Sequence, residues 1–187
     1  STFKQVDPFF VIDLSTDSPK ILGALKIPGF SNYLQPYDES HIIGIGKGTK
    51  ENEWGGVSTT GIKISMFDVS NFKNPTETDT IVIGDSSTDS EALYNHKSLL
   101  LDKQKNVMVF PIKGEIKAIF DDTKSDSQYV QWNGFFVYGF DQNKFVKKGS
   151  ISHYTGNNYN SIYMQARSMY IGDTLYTVMD GSIKMND

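Results

Sequence analysis

The sequence predicts an all-β protein assembled from copies of one antiparallel meander, and three observations carry that prediction. Aromatic residues make up 13 % of the 187 residues and glycine occurs 16 times, which suits short strands joined by many turns. The stretch Gly61–Ser70 (GIKISMFDVS) recurs: Phe10–Ser15 (FVIDLS) repeats its ending, and Phe136–Asp141 (FVYGFD) repeats it loosely. In each copy an apolar, β-rich run enters a polar turn and a second run follows. Finally, no segment sustains a 3.6-residue period, and only Ser90–Lys97 has room for a helical turn.

Taken in order, Phe9–Leu14 is a compact apolar strand closed by the turn residues Ser15–Pro19, and Ile21–Ile27 returns as its hairpin partner. Pro28-Gly29 breaks the pattern. Tyr33–Tyr37 reads as a short strand or a bend, Asp38–Ser40 as a turn and His41–Ile45 as a strand ending in Gly46. Lys47–Thr60 is polar and bears glycines, so it is expected as a loop. The cycle restarts with strands Ile62–Val69 and Thr80–Ile83 around a loop containing Asn74-Pro75. The Ser/Asp-rich loop Gly84–Ser90 leads to a strand within Leu93–Leu101, a turn at Asp102–Lys105 and the apolar run Asn106–Ile112. Gly114–Gln131 is the longest irregular connection, with Ile116–Phe120 a candidate short strand. Phe135–Phe140 and Phe145–Ser152 form the next hairpin, and His153–Tyr163 is an Asn/Tyr-rich loop. Arg167–Ile171 and Thr174–Met179 pair across Gly172-Asp173, and Ile183–Met185 begins another copy.

A unit of about four strands therefore recurs, at a spacing of roughly 55–70 residues judged from Asp13, Asp68 and Gly139. A four-stranded antiparallel sheet cannot bury both of its faces alone. Copies set side by side around an axis bury one another, which describes a partial β-propeller of about three four-stranded blades. The expected boundaries are outer strands at about 9–27, blades at about 33–83 and 93–152, and inner strands at about 166–187. A β-sandwich of the same short strands is the alternative.

Composition excludes several functions. A net charge of −4 and a single arginine, Arg167, argue against nucleic-acid binding. Without cysteine there is no disulfide, thiol catalysis or cysteine–zinc site. No run of about 18 apolar residues occurs, so no helical membrane span is expected. No charged-then-apolar leader follows Ser1, so a signal peptide is expected to be absent or removed. Asn74-Pro75-Thr76 fails as a glycosylation site because proline occupies its middle position.

Long blocks of the chain carry a resemblance. IPGFSNYLQPYDESHIIGIG (Ile27–Gly46), GIKISMFDVSNFKNP (Gly61–Pro75), SEALYNHKSLL (Ser90–Leu100) and RSMYIGDTLYTV with IKMND (within Arg167–Asp187) closely resemble a family of secreted archaeal and bacterial proteins with a C-terminal β-propeller domain. The resemblance implies a propeller fold and a secreted or cell-surface location, and it transfers no catalytic residue. It also implies that longer proteins contain such a segment. Open edge strands would make an edge-to-edge homo-oligomer a candidate assembly.

With strands lettered A to D from the axis outward, the B–C and D–A connections share one face. That face collects the longer connections Lys47–Thr60, Gly84–Ser90, Gly114–Gln131 and His153–Tyr163, whereas Asp38–Ser40, Asp102–Lys105 and Gly172-Asp173 are tight. Long loops on a rigid scaffold are where binding resides. The candidate ligand-binding residues are Glu51, Glu53 and Trp54 in one loop, Asp85 and Asp89 (with Glu91) in a second, and His153 in a third, with Asp121, Asp122 and Asp126 in a further acidic loop. His96 and Arg167 are assigned to A strands, which line the axial channel. Structural roles compete at each position: a solvated acidic loop, a packed histidine, an arginine paired with a carboxylate or a carbonyl. The Asp clusters would suit Ca²⁺, although none has the spacing of a calcium loop, and no cofactor is otherwise expected. Gly44–Thr49 (GIGKGT) is neither a P-loop nor a dinucleotide fingerprint, so its glycines are read as ending the strand. Two functions follow. One is a non-catalytic extracytoplasmic module that binds a protein or cell-surface polymer. The other is a glycan- or peptide-acting hydrolase or lyase with acidic residues at the channel.

Overall fold

The structure, a computed structural model, describes residues 8–117, 129–153 and 165–187. Its described residues contain strands and two short 3-10 turns but no α-helix, and the chain divides into two compact units, Ser1–Ser86 and Ser87–Asp187.

In the first unit, β1 (Pro8–Asp13) and β2 (Lys20–Lys26) form a two-stranded antiparallel sheet. Strands β3 (Phe30–Pro36), β4 (His41–Glu51), β5 (Val57–Asp68) and β6 (Thr76–Ile83) form a four-stranded meander in chain order. The recurring Asp-x-Ser ending has a local cause. The carboxylate of Asp13 accepts the backbone N–H of Ser15 at 2.8 Å, and Asp68 accepts that of Ser70 at 2.8 Å. Each aspartate thus turns the chain out of its strand, and hydrogen bonding from the Ser15 and Ser70 hydroxyls first, and then from their N–H groups, holds the two carboxyls below their usual pKa. Asp38 does the same between β3 and β4, accepting the N–H groups of Ser40 and His41 at 2.8 and 2.7 Å.

The middle strands supply the buried residues: Ile43 and Ile45 in β4, and Ile62, Ile64 and Met66 in β5, are all inaccessible to solvent. Phe67 stacks on Phe9 of β1 with ring centroids 4.7 Å apart, joining the two sheets of this unit. Gly23 of β2 completes that contact, because a Cβ there would lie 2.2 Å from the carbonyl oxygen of Phe72.

In the second unit, β7 (Leu100–Asp102), β8 (Val107–Lys117), β9 (Tyr129–Asp141) and β10 (Lys144–Ser152) form another four-stranded meander. Three further strands, β11 (Arg167–Ile171), β12 (Thr174–Met179) and β13 (Ser182–Asn186), form a three-stranded sheet. Val107, Val109, Phe135 and Ile151 of the first sheet close on Ala166, Leu175 and Met179 of the second. The β9–β10 turn uses Gln142 and Asn143 at φ 46° and 62°, the left-handed pair that matches strand twist in a two-residue hairpin.

Several sequence expectations are corrected. Lys47–Thr60 is not a loop: β4 runs on to Glu51, β5 starts at Val57, and only residues 52–56 turn the chain. Thr49, Val57, Thr59 and Thr60 are β-branched and favour strand despite the polar neighbours. Gly46 does not end its strand. It sits opposite Ser31 beside a β-bulge, where a Cβ would fall 1.7 Å from the carbonyl oxygen of Phe30. Gly114–Gln131 is largely strand on either side of residues 118–128, so Ile116 belongs to β8. The strand expected within Leu93–Leu101 shrinks to β7, preceded by the 3-10 turns Glu91–Leu93 and His96–Ser98. Those turns form because the side chains of Ser90 and Asn95 accept the N–H groups of Ala92 and Lys97, two residues on.

Candidate functional site

Past Lys47 and Ile62, the last residues of β4 and β5 to pair with the flanking strands β3 and β6, these two strands continue as a two-stranded arm. Its tip is organised by Asn52. The Asn52 N–H donates to Gly56 O at 2.8 Å and its carbonyl accepts the Gly55 N–H at 3.0 Å. Its side-chain oxygen accepts the N–H groups of Gly56 at 2.8 Å and Trp54 at 3.2 Å, while its amide nitrogen donates to Ser58 Oγ at 3.3 Å. Gly55, at φ +72°, supplies the left-handed residue this turn requires. The result is a fixed tip whose indole, Trp54, is 93 % exposed, flanked by the exposed Glu51 and Glu53. The three residues expected to act together do share one element, a hairpin rather than a loop.

The second unit has its own extended hairpin, where β8 and β9 remain paired out to Lys117 and Tyr129. Asp89 lies against it, exchanging backbone hydrogen bonds with Lys113 at 2.7 and 2.9 Å. The Asp89 carboxylate accepts the N–H of Ser90 at 2.8 Å. Partial burial, with Asp89 and then Glu91 nearby, pushes the Tyr94 hydroxyl above its ordinary pKa. Asp85 is exposed at the end of the first unit.

Arg167 begins β11 and is committed to structure. Its guanidinium donates to Glu91 Oε1 at 2.9 Å and to the carbonyl of Ala166 at 2.6 Å. Glu91, 4 % exposed, also accepts the Ala166 N–H at 2.7 Å and the Asn95 side-chain amide. Two hydrogen bonds to Glu91, from the Ala166 N–H and the Arg167 guanidinium, thus fix the 3-10 turn before β7 to the start of β11. Sequence reasoning grouped Glu91 with the acidic loop residues and missed this brace; the signal available was Ser90 as a turn cap directly before it.

His96 is not in an A strand: it is exposed and opens the second 3-10 turn, because Asn95 caps a turn where the apolar pattern suggested extension. His153 is buried, its Nε2 2.9 Å from Thr177 Oγ1 and its ring edge-on to Phe135 at 5.5 Å. Burial, reinforced by the nearby Lys184, holds its imidazole below the ordinary pKa. The remainder of the His153–Tyr163 loop and the acidic group Asp121, Asp122 and Asp126 lie outside the described residues.

Each unit has a cleft. One, of about 130 Å³, is lined by Phe9, Phe10, Phe30, Leu34 and Phe67, with the Lys63 ammonium held at 2.9 Å by Glu77 and by the Pro28 carbonyl. The other, of about 320 Å³, has Lys105 and Lys148 in its wall. Lys105 is paired with Asp173 at 2.9 Å and Lys148 donates to Asn106 O at 2.7 Å. Neither cleft converges a pair of carboxylates. Among the described residues no three His, Asp or Glu side chains are grouped to hold a metal ion.

The meander architecture and its repeated turns agree with a family model described as a beta propeller domain, which matches residues 1–187. The chain belongs to this beta propeller domain family. Its sheets are therefore propeller blades, β3–β6 and β7–β10 being four-stranded ones, with the arm at Trp54 joining the second and third strands of the first. The chain is 43 % identical over 111 residues to an uncharacterized protein of Archaeoglobus fulgidus, covering 59 % of this chain and 16 % of that protein. It is 29 % identical over 177 residues to the uncharacterized protein MJ1554 of Methanocaldococcus jannaschii, covering 94 % of this chain and 22 % of that protein. The propeller segment thus spans about a fifth of the length of these relatives. No solved structure gives a significant match.

Proposed function

We propose that this propeller segment is a non-catalytic binding module that contacts an extracytoplasmic protein or cell-surface polymer through its B–C hairpins, with Trp54 as the principal contact. One observation carries the reading: an indole that burial would stabilise by a few kcal/mol is instead displayed on a tip fixed by the hydrogen bonds of Asn52. A rigid exposed aromatic loses little conformational entropy on binding, which is why tryptophan dominates contact surfaces. The arrangement of the charged groups supports binding over hydrolysis. Arg167 is spent on Glu91, and His96 lies apart in its own turn. The secreted family that the sequence resembles supports a location outside the cytoplasm.

Self-association is part of the proposal, since among the described residues β13 pairs with β12 alone and carries Ile183 and Met185 at 65 % and 67 % exposure. Light scattering of the purified chain across a concentration series tests that part, and a constant monomer mass up to high concentration removes it. For binding, the wild-type chain and Trp54→Ala are applied in parallel to oligosaccharide and peptide arrays. Spots retained only by the wild type are expected, with no turnover of chromogenic glycosides or peptide anilides. Turnover of any of these, or array binding indifferent to Trp54, overturns the reading.

A further inference from the structure

We infer that the group taken by the β4–β5 arm is a cationic side chain, and specifically an arginine in an exposed segment of a partner protein. This rests on the proposed role of the arm in binding and adds the chemistry of what it binds. The indole face carries negative quadrupole density and is the strongest cation–π acceptor among side chains. Here that face is 93 % exposed, whereas the other tryptophan, Trp132, is 7 % exposed. Two carboxylates precede it in the chain: Glu53 immediately before it, and Glu51 at the end of β4 opposite Val57. The chain as a whole carries −4, which attracts cations and repels anionic surfaces such as acidic lipid.

Arginine fits better than lysine. A planar guanidinium stacks on an indole while its edge donates hydrogen bonds to a carboxylate; an ammonium offers a point charge with no stacking plane. Gly55 completes the setting, because nothing lies within 4 Å of where its Cβ would be, leaving a bare backbone position beside the indole for a partner to approach.

The test uses the intact chain and four probes: an acetylated, amidated tetra-arginine peptide, the matching tetra-citrulline peptide, cellohexaose, and phosphatidylglycerol vesicles. Binding is followed by the emission of the exposed Trp54 and, so that the reporter can be removed, by calorimetry. Tetra-arginine is expected to bind best, with an affinity that falls as salt is added. Trp54→Ala and Glu53→Gln should each weaken it about fivefold. Asp17→Asn, an equal charge change in the exposed β1–β2 turn, should stay within about twofold. Equal weakening by Asp17→Asn and Glu53→Gln reduces the effect to net charge and overturns the inference. Trp54-dependent binding of citrulline peptide, cellohexaose or vesicles at least as tight as that of tetra-arginine also overturns it, while leaving the arm as a binding element. If no probe binds in a Trp54-dependent way, the inference and the binding role of the arm both fail.

Discussion

The two four-stranded blades, β3–β6 and β7–β10, solve one packing problem with opposite side chains. The second strand of the first blade is built on alternating glycines, Gly44, Gly46 and Gly48, between buried Ile43 and Ile45. The corresponding strand of the second blade carries an unbroken run of large residues, Val107, Met108, Val109 and Phe110, all buried, and its neighbour adds Phe135 and Phe136. At Gly46 of β4 the backbone itself comes close, and along Val107–Phe110 of β8 side chains fill the space; the second blade keeps a close backbone approach in β9, where a Cβ at Gly134 would fall 2.2 Å from the carbonyl oxygen of Ile151. The meander is therefore specified by its turns and its strand alternation, and the volume between sheets can be met from either direction.

If that contrast is right, truncation should hurt most where side chains do the filling. Phe135→Ala removes an inaccessible ring from the cluster shared with Val107, Ile151, Leu175 and Met179, and should cost about 3–5 kcal/mol in chemical denaturation. A loss below about 1 kcal/mol would mean that the sheets do not meet through this ring. Addition should hurt most where the backbone approaches. Gly46→Ala puts a methyl 1.7 Å from a main-chain oxygen, which no rotamer can relieve, and should cost about 1–3 kcal/mol. Unchanged stability in that variant would show that the bulge at Ser31 opens readily.

The two blades also respond to pH through different groups: the first through the lowered carboxyls of Asp38 and Asp68, the second through a buried histidine that follows β10. His153 is buried against Phe135 and Thr177, and its pKa lies below the ordinary 6.5, first through burial and then through Lys184. Because the folded pKa is depressed, the unfolded chain takes up the proton first. Stability should be full above about pH 6.5 and fall as the pH drops from there toward the folded pKa, levelling off below it. Denaturation midpoints measured from pH 7.5 to 4.5 should show this slope, and His153→Gln should flatten it. A slope identical in the variant would assign the acid sensitivity to the carboxylates instead.

Legibility in the sequence followed the range of the interactions. The all-β class, the hairpins and the recurring turns could be read because they are set by neighbours two or three residues apart, as when Asp68 binds the N–H of Ser70. The length of the β4–β5 hairpin was hidden because Lys47, Lys50, Glu51 and Glu53 make a strand look like a loop. The placement of His96 was missed because Asn95 redirects the chain inside an apolar stretch. What glycine does at position 46 depends on a carbonyl in another strand, and Glu91 finds Arg167 and Ala166 more than 70 residues away. Of the candidate site, the grouping of Glu51, Glu53 and Trp54 was visible from proximity. Its rigidity was not, since that depends on how Asn52 spends its side chain.

The smallest expected effect separates glycines that make room from glycines that merely lack a side chain. Gly149 lies in β10 at a register shift, and a Cβ there would meet no atom within 4 Å. Its φ is not among the positive ones, so an alanine can adopt the existing backbone. Replacing it removes conformational freedom from the unfolded chain without adding a clash, and Gly149→Ala should raise stability by about 0.4–1 kcal/mol. Set beside Gly46→Ala, the same chemical change would then have opposite signs in strands of the two blades. A destabilised Gly149→Ala would instead indicate that this bulge, too, depends on close backbone approach, and the division between glycines that make room and glycines that merely lack a side chain would have to be redrawn.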